Sequence, residues 1–129
     1  SNNPAAINGI SKLNQVVYSY VDINFLQEIM NNLIENAIKY TPEGGNIDIV
    51  SGMLYTDAFI KVIDNGIGIP FEHQSRIFER FYRVDKSHSK ETGGTGLGLS
   101  IVKHAVACHG GIIKLDSTVG KGTTIKIIF

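Results

Sequence analysis

The sequence predicts a single domain in which one β-sheet is covered on one face by helices. Three observations predict this fold class. Apolar residues recur with a helical period through residues 23–38, and two segments at 46–54 and 58–64 have the composition of strands. A second helical segment at 97–109 then precedes two more strands. The chain of 129 residues is long enough for one two-layer domain with one core.

The composition is that of an ordinary globular protein, with 43% hydrophobic and 19% charged residues. Lys and Arg total 12, as do Asp and Glu, so no overall field favours nucleic acid, and any anion site must be local. Cys108 is the single cysteine, which excludes an internal disulfide and fits a reducing, cytoplasmic compartment. No apolar run approaches the roughly 20 residues of a membrane helix.

Before the first helix the pattern is weak. Residues 1–12 are predicted to be a leader or a remnant of an upstream segment, with the domain at 13–129. Residues 13–21 are rich in β-formers and predict a strand, and Asp22 is a candidate helix N-cap. Because the sequence begins at Ser1 rather than Met, we interpret it as a fragment of a longer protein.

The remaining elements follow from turn residues and periodicity. The first helix is expected to end before Thr41-Pro42, and Tyr55-Thr56-Asp57 predicts a tight connection between two strands. The later segments are predicted, in chain order, as a turn at 65–70, a short helix at 71–78, a mobile polar loop at 82–96, a helix at 97–109, and strands at 111–117 and 122–129.

A polar stripe runs along the first helix. Since helical residues are about 100° apart, the apolar stripe of Leu26, Met30, Leu33, Ile34 and Ala37 is predicted to form the core, with a polar stripe opposite. That polar stripe consists of Asn32, Asn36, Lys39 and Tyr40. Amide oxygens can ligate Mg²⁺, an ammonium suits phosphate, and a ring suits a base. The alternative is an ordinary solvated helix face.

Two glycine-rich segments flank these elements. The run DNGIGIP at 64–70 follows a strand, where the Asp64 carboxylate could accept hydrogen bonds from an exocyclic amine; a plain Asn-Gly turn is the alternative. The run GGTGLGL at 93–99 precedes a helix, whose free N–H groups and dipole favour phosphate; a simple hinge is the alternative. Its spacing is neither a Walker loop nor a dinucleotide fingerprint.

Taken in order, five motifs resemble those of bacterial two-component sensor histidine kinases. They are NLIENAIKYTP at 32–42 (N box), DNGIGIP at 64–70 (G1 box), IFERFYR at 77–83 (F box), GTGLGLS at 94–100 (G2 box) and GKGTT at 120–124. Together they cover roughly residues 22–129. The chain thus resembles the catalytic, ATP-binding domain of these kinases, within the gyrase, chaperone, histidine kinase and mismatch-repair ATPase superfamily.

The resemblance implies a fold and an activity. The fold is the Bergerat ATP-binding fold, an α/β (α+β) two-layer sandwich whose mixed, mostly antiparallel sheet is covered on one face by about three helices. The activity is transfer of the γ-phosphate of Mg²⁺-ATP to a histidine on a separate dimerisation and phosphoacceptor domain. Partners would be that domain and a response regulator. The isolated chain would be a monomer, and the membrane-anchored parent a homodimer.

The resemblance also implies roles for single residues. Asn36 would hold Mg²⁺ with support from Asn32, while Lys39, Arg80 and Arg83 would contact or neutralise phosphate. On the adenine side, Tyr40 would pack near the base, and Asp64 would accept from its amino group, helped by Thr123 through water. Gly66 and Gly68 would shape the wall of the adenine site. The residues implied around the phosphates are Gly94, Thr95, Gly96, Leu97 and Gly98. Residues 82–96 would form a lid anchored by Phe78 and Phe81.

The histidines depart from the pattern of a complete kinase. The four present are His73, His88, His104 and His109, and none has the surroundings of a phosphoacceptor, so the acceptor is expected on another segment. We expect His73 and His88 to face solvent, and His104 and His109 to pack or lie at the surface.

Two other functions on this fold stay open. An ATP-driven clamp would hydrolyse ATP with a glutamate one turn before the metal asparagine, but that position is Asn32, which is not a base. A degenerate nucleotide sensor is the other alternative. The intact Asn36, Asp64 and glycine set argues against it.

Overall fold

The computed structural model of the chain describes residues 7–10, 23–84 and 97–129. Within these residues, five strands form one sheet and three segments are α-helical. In chain order they are β1 (Ile7–Ile10), α1 (Ile23–Tyr40), β2 (Gly45–Leu54), β3 (Asp57–Asp64), α2 (Phe71–Gln74), α3 (Gly98–Cys108), β4 (Ile112–Thr118) and β5 (Gly122–Ile128).

The sheet is mixed and mostly antiparallel. Its strand order is β1-β2-β3-β5-β4, with β1 parallel to β2 and the other three pairs antiparallel. The sequence pattern at Ile7–Ile10 is weak and predicted no strand, yet this segment pairs beside β2 with Ile7 opposite Gly45. The strand predicted at 13–21 lies outside the described residues, and the division into leader and domain stays a prediction.

The helices cover one face of the sheet, as the sequence predicted. Alternate residues of β2, β3 and β5 point inward and are buried, namely Ile47, Ile49, Ile60, Val62, Ile125 and Ile127. Helix α1 packs on them through a buried row at Phe25, Ile29, Leu33 and Ala37, and α3 through Val102 and Val106. This layered arrangement confirms the predicted fold class.

The predicted core stripe of α1 does pack in the core, but its members are buried to different extents. Of its five members, Leu33 and Ala37 are buried, while Leu26, Met30 and Ile34 are only half-buried. Phe25 is buried instead, and Ile23 is 63% exposed. An apolar stripe on a helix is wide, and the line within it that becomes fully buried depends on where the helix lies against the sheet.

The segment 71–78 is a shorter helix than predicted. Helix α2 ends at Gln74, and turns continue the chain, with the amide N of Arg76 donating to the carbonyl of His73 at 3.0 Å and that of Tyr82 to the carbonyl of Glu79 at 3.2 Å. These are i→i+3 bonds, which are typical of short, tight turns. The predicted helix at 97–109 is confirmed to within one residue at each end.

Three lysines lie side by side on the other face of the sheet. Lys126 of β5 is directly opposite Lys61 of β3 on one side and Lys114 of β4 on the other. The ammonium groups of Lys126 and Lys61 also lie 4.9 and 5.8 Å from the ring centroid of Phe59. Like charges directly opposite each other on neighbouring strands are destabilising.

We therefore expect Lys126→Glu to be more stable than Lys126→Gln. Both variants lose the contact with Phe59, but only glutamate converts the two like-charge pairs into opposite-charge pairs. The expected difference in free energy of unfolding is about 0.5–1 kcal/mol at low ionic strength, shrinking in about 1 M salt. Urea denaturation of both variants at the two salt concentrations measures it. Equal stability at low salt would contradict the predicted repulsion.

Candidate functional site

The polar stripe of α1 lies beside the buried row and not opposite it. Asn32, Asn36, Lys39 and Tyr40 are all half-buried. The solvated face of the helix is a different set of exposed residues, namely Asn24, Gln27, Glu28, Asn31 and Glu35. The predicted opposite placement was therefore wrong. Because the solvated face lies elsewhere, the structure disfavours the interpretation of the polar stripe as merely that face.

Asn32 lies where α1 meets the beginning of α3. Its Nδ2 donates to the carbonyl of Glu28 at 2.8 Å, and its Oδ1 is 3.2 Å from the place a Cβ on Gly98 would occupy. Glycine at 98 thus leaves room for the Asn32 amide against the first turn of α3. Asn36 follows one turn later on the same margin of α1.

Two cations come together at the end of this stripe. Burial lowers the pKa of Lys39, the guanidinium of Arg83 lowers it further, and Glu35 partly offsets both. The Lys39 ammonium is also 5.5 Å from the centroid of the Tyr40 ring. Neighbouring cations disfavour each other's charge, so an anion between them would be stabilised.

Arg80, the other predicted phosphate ligand, has a different environment. Its guanidinium lies 5.6 Å from the ring centroid of Phe81, and both residues are exposed. Phe81 has a left-handed backbone with φ of 66°. Phe78 is half-buried beneath the Lys103 ammonium, 5.9 Å from its ring centroid. Arg83 thus affects the charge of Lys39, while the described partner of Arg80 is the ring of Phe81.

The loop after β3 is wedged between the end of α1 and the β4–β5 turn. The amide N of Ile67 donates to the Tyr40 carbonyl at 3.1 Å, and a Cβ on Gly66 would lie 2.2 Å from that same oxygen. On the other side, Gly68 has φ of 75°, and a Cβ there would lie 2.2 Å from the carbonyl oxygen of Thr118. Both positions therefore require glycine, and their role in an adenine wall stays a prediction.

Asp64 is the buried carboxylate of this loop. It is 7% exposed, and its Oδ1 accepts from the amide N of Gly66 at 2.9 Å and of Thr123 at 3.2 Å. Burial raises the pKa of Asp64, and the two hydrogen bonds oppose that shift. A carboxylate has about four acceptor positions, so acceptor capacity remains for a ligand.

Sequence reasoning missed two polar residues that hold this wall. Asn65 accepts from the amide N of Asn46 at 2.8 Å through its Oδ1, which ties the loop to β2. Ser117 hydrogen-bonds to Thr123 from the inward side of β4, after the half-buried Ile113 and Leu115. A polar residue at the third inward position of an alternating strand was the available signal.

The predicted phosphate loop is described only at its end. Gly94, Thr95 and Gly96, with most of the lid at 82–96 and His88, lie outside the described residues. Leu97 precedes α3, and its carbonyl accepts from the amide N of Ile101 at 3.0 Å and the hydroxyl of Ser100 at 2.7 Å. Gly98 then opens the helix beside Asn32.

The described histidines have local partners. His73, predicted to face solvent, is half-buried and hydrogen-bonds through Nδ1 to the hydroxyl of Tyr82, so that prediction was wrong. His104 lies 3.5 Å from the sulfur of Cys108, and the ring of His109 packs on Phe25 with centroids 3.5 Å apart.

Comparison with known families decides what kind of domain carries this site. Residues 21–129 match the family described as histidine kinase-, DNA gyrase B- and HSP90-like ATPase. The chain belongs to this family. The match spans both helices and both glycine-rich segments of the site, and it confirms the resemblance found in the five motifs.

Curated relatives of this ATPase domain include sensor histidine kinases. The chain is 45% identical over 111 residues to the sensor histidine kinase WalK of Bacillus subtilis, and the matched region covers 84% of the chain and 18% of WalK. It is 50% identical over 96 residues to the histidine-protein kinase ArlS of Staphylococcus aureus, covering 74% of the chain and 21% of ArlS. The chain thus spans about a fifth of the length of these relatives.

Solved structures of histidine kinases share the fold. A mycobacterial sensor histidine kinase, MprB, matches with a TM-score of 0.73 and 32% identity over 84% of the chain and 72% of MprB. The catalytic domain of the histidine kinase ThkA matches with a TM-score of 0.71 and 31% identity over 84% of the chain and 68% of the ThkA chain. In the described part of the present ATPase domain, no helix is both long and apolar enough to span a membrane.

Proposed function

We propose that this domain binds Mg²⁺-ATP between α1, the G1 loop and the start of α3, and transfers the γ-phosphate to a histidine on a separate domain. The observation that carries the proposal is the half-buried margin of α1. There, Asn32, Asn36 and Lys39 are half-buried, Gly98 lies against Asn32, and the charge of Arg83 lowers the pKa of Lys39. Metal ligands and anion ligands therefore share one margin, with a buried carboxylate at the loop beyond it.

The adenine end of the proposed site is the wall around Asp64. Its buried carboxylate can accept from the exocyclic amine of adenine, because Oδ1 already takes two backbone N–H groups and acceptor positions remain. Gly66 and Gly68 keep side chains out of the wall. The Tyr40 carbonyl accepts from the amide N of Ile67, and in this proposal the Tyr40 ring packs near the adenine.

The phosphate end is formed by cations and by the N-terminus of α3. Lys39 and Arg83 would bind the β- and γ-phosphates, while Gly94, Thr95, Gly96, Leu97 and Gly98 would wrap them. Arg80 would act at the γ-phosphate only if it leaves the ring of Phe81. In the lid proposal, Phe78 and Phe81 connect residues 82–96 to the body of the domain.

The residues present fit a magnesium ion that comes with the nucleotide. Among residues 7–10, 23–84 and 97–129 there is no cluster of three His, Cys, Asp or Glu side chains that could hold a metal. Asn36, supported by Asn32, would supply an amide oxygen, and phosphates and waters the other ligands, as Mg²⁺ commonly has. When bound, the ion would neutralise charge on the transferring phosphate.

The chemistry of α1 favours transfer over hydrolysis. A hydrolysing relative would need a general base one turn before Asn36, and Asn32 has no useful basicity. An acceptor histidine needs no such base, because its neutral imidazole nitrogen attacks the γ-phosphorus while ADP leaves with the bridging oxygen. The domain's contribution is then positioning and charge neutralisation.

The proposal includes a larger protein around this domain. Its own dimerisation and phosphoacceptor domain would supply the histidine, and a response regulator would receive the phosphoryl group from it. The parent would be a homodimer anchored in the cell membrane, with this domain in the cytoplasm.

The isolated chain should not phosphorylate itself. Incubated with labelled ATP and Mg²⁺, it should acquire no acid-labile label and should release phosphate very slowly. Addition of the parent's phosphoacceptor domain should give label on that domain, and omission of Mg²⁺ with EDTA present should abolish it. Rapid ATP hydrolysis by the chain alone would contradict the transfer proposal, as would stable phosphohistidine on any of its own histidines.

A further inference from the structure

One serine hydroxyl joins three chain segments at the wall around Asp64. Ser117 Oγ accepts from the amide N of Ile69 in the G1 loop at 2.8 Å. It donates to the carbonyl of Gly122 at 3.1 Å, and it lies 2.8 Å from the Thr123 hydroxyl at the start of β5. Gln74 holds the same junction by donating to the carbonyls of Ile69 and Ser117.

The number of protons in this junction determines which way the Thr123 hydroxyl points. A serine hydroxyl has one proton and two lone pairs. Either hydroxyl can be the donor in the Ser117–Thr123 contact. When the Ser117 proton goes to the Gly122 carbonyl and one lone pair accepts from Ile69 N–H, the remaining lone pair accepts the proton of Thr123. The Thr123 oxygen then offers only lone pairs to anything else that contacts it.

Thr123 and Asp64 form a pair of neighbouring acceptors. They are directly opposite each other on β3 and β5, on the face that the helices cover, and the amide N of Thr123 donates to Asp64 Oδ1. Both are buried, at 6% and 7% exposure. A wall with two acceptors suits a ligand group that presents N–H donors. The same wall disfavours a ligand carbonyl, because the carbonyl oxygen is itself an acceptor and would leave the buried oxygens of Asp64 and Thr123 without a donor.

We propose that Ser117 is a positioning residue that keeps Thr123 an acceptor and thereby selects a purine with an amine at C6, as in adenine, over one with a carbonyl at C6, as in guanine. The inference rests on the proposed ATP site and adds a determinant of base specificity. Ser117 does not touch the nucleotide in this proposal. It acts through the direction of the Thr123 hydroxyl and through the position of the G1 loop.

The test compares the affinities of ATP and GTP for the full chain and its variants by calorimetry. In Ser117→Ala the Thr123 proton is released and can donate to the guanine carbonyl, so the preference for ATP over GTP should fall by about tenfold. Ser117→Thr keeps a hydroxyl and should restore the preference. Thr123→Val should also lower it, and adding Ser117→Ala to Thr123→Val should change it no further.

Different outcomes separate this inference from the proposed function. If ATP and GTP affinities fall equally in Ser117→Ala, or if Ser117→Thr fails to restore the preference while remaining folded, Ser117 is only structural and the inference is wrong. If Ser117→Ala unfolds, Thr123→Val still tests the inference: an unchanged preference for ATP in Thr123→Val would show that the hydroxyl through which Ser117 is proposed to act does not select the base. Absence of ATP binding by the unmodified chain would instead reject the proposed function.

Discussion

Asn36→Ala is expected to remove Mg²⁺-dependent ATP binding and to abolish phosphotransfer to an added acceptor domain. The variant loses the amide oxygen that would ligate the metal, and no described cluster of acidic or imidazole side chains can replace it. Loss of a residue that supports a metal ligand from the outer shell typically weakens affinity or activity by about 10–100-fold, and we expect a loss of about 100-fold or more for a direct ligand. Calorimetry with and without EDTA, together with phosphohistidine formation, measures it.

Asn31 provides a matched control on the same helix. It is an asparagine on the exposed face of α1, so Asn31→Ala makes the same change outside the proposed site. Asn31→Ala should leave ATP affinity and transfer unchanged, and circular dichroism should show equal helix content in both variants. Equal Mg²⁺-dependent affinity in Asn36→Ala and Asn31→Ala would remove Asn36 from the metal site.

Asp64→Asn is expected to weaken ATP binding about 10–100-fold while making the fold more stable at neutral pH. Asparagine Oδ1 can still accept from Gly66 and Thr123, so the wall is retained. Its Nδ2, however, would present a donor to the adenine amine where the carboxylate presented an acceptor, and hydrogen bonds to charged groups contribute about 1.5–3 kcal/mol.

The gain in stability follows from the direction of the pKa shift. Burial raises the pKa of Asp64 in the folded state above its ordinary value. The folded state therefore binds the proton more tightly than the unfolded state, and stability falls as pH rises from the ordinary pKa through the raised one. At pH values above that window, the buried ionised carboxylate lowers the free energy of unfolding. Asparagine carries no charge and removes this destabilising contribution.

Denaturant unfolding at acidic and neutral pH, with ATP titration of the same samples, tests both effects. Asp57→Asn is the control, because Asp57 is an exposed carboxylate at the other end of the same strand. It should leave ATP affinity unchanged. The assignment of Asp64 to the adenine wall fails if Asp64→Asn binds ATP as tightly as Asp57→Asn does.

The sequence by itself determined the features that depend only on residues close together along the chain. Periodicity placed α3 to within one residue and predicted the β2–β3 pair with its tight connection, because helix and strand periods are local properties. The order of five short motifs was specific enough to identify the ATPase family, and the family match confirmed it.

Only the tertiary structure decided which residues of a stripe are buried and which distant groups meet. The apolar stripe of α1 did not predict that Phe25 is buried and Ile23 exposed, since that depends on how the helix lies against the sheet and α3. Arg83 acts on Lys39, and Ser117 bonds to Ile69, across long stretches of chain. Strand β5 likewise inserts between β3 and β4, and no local periodicity encodes which strand a segment will pair with.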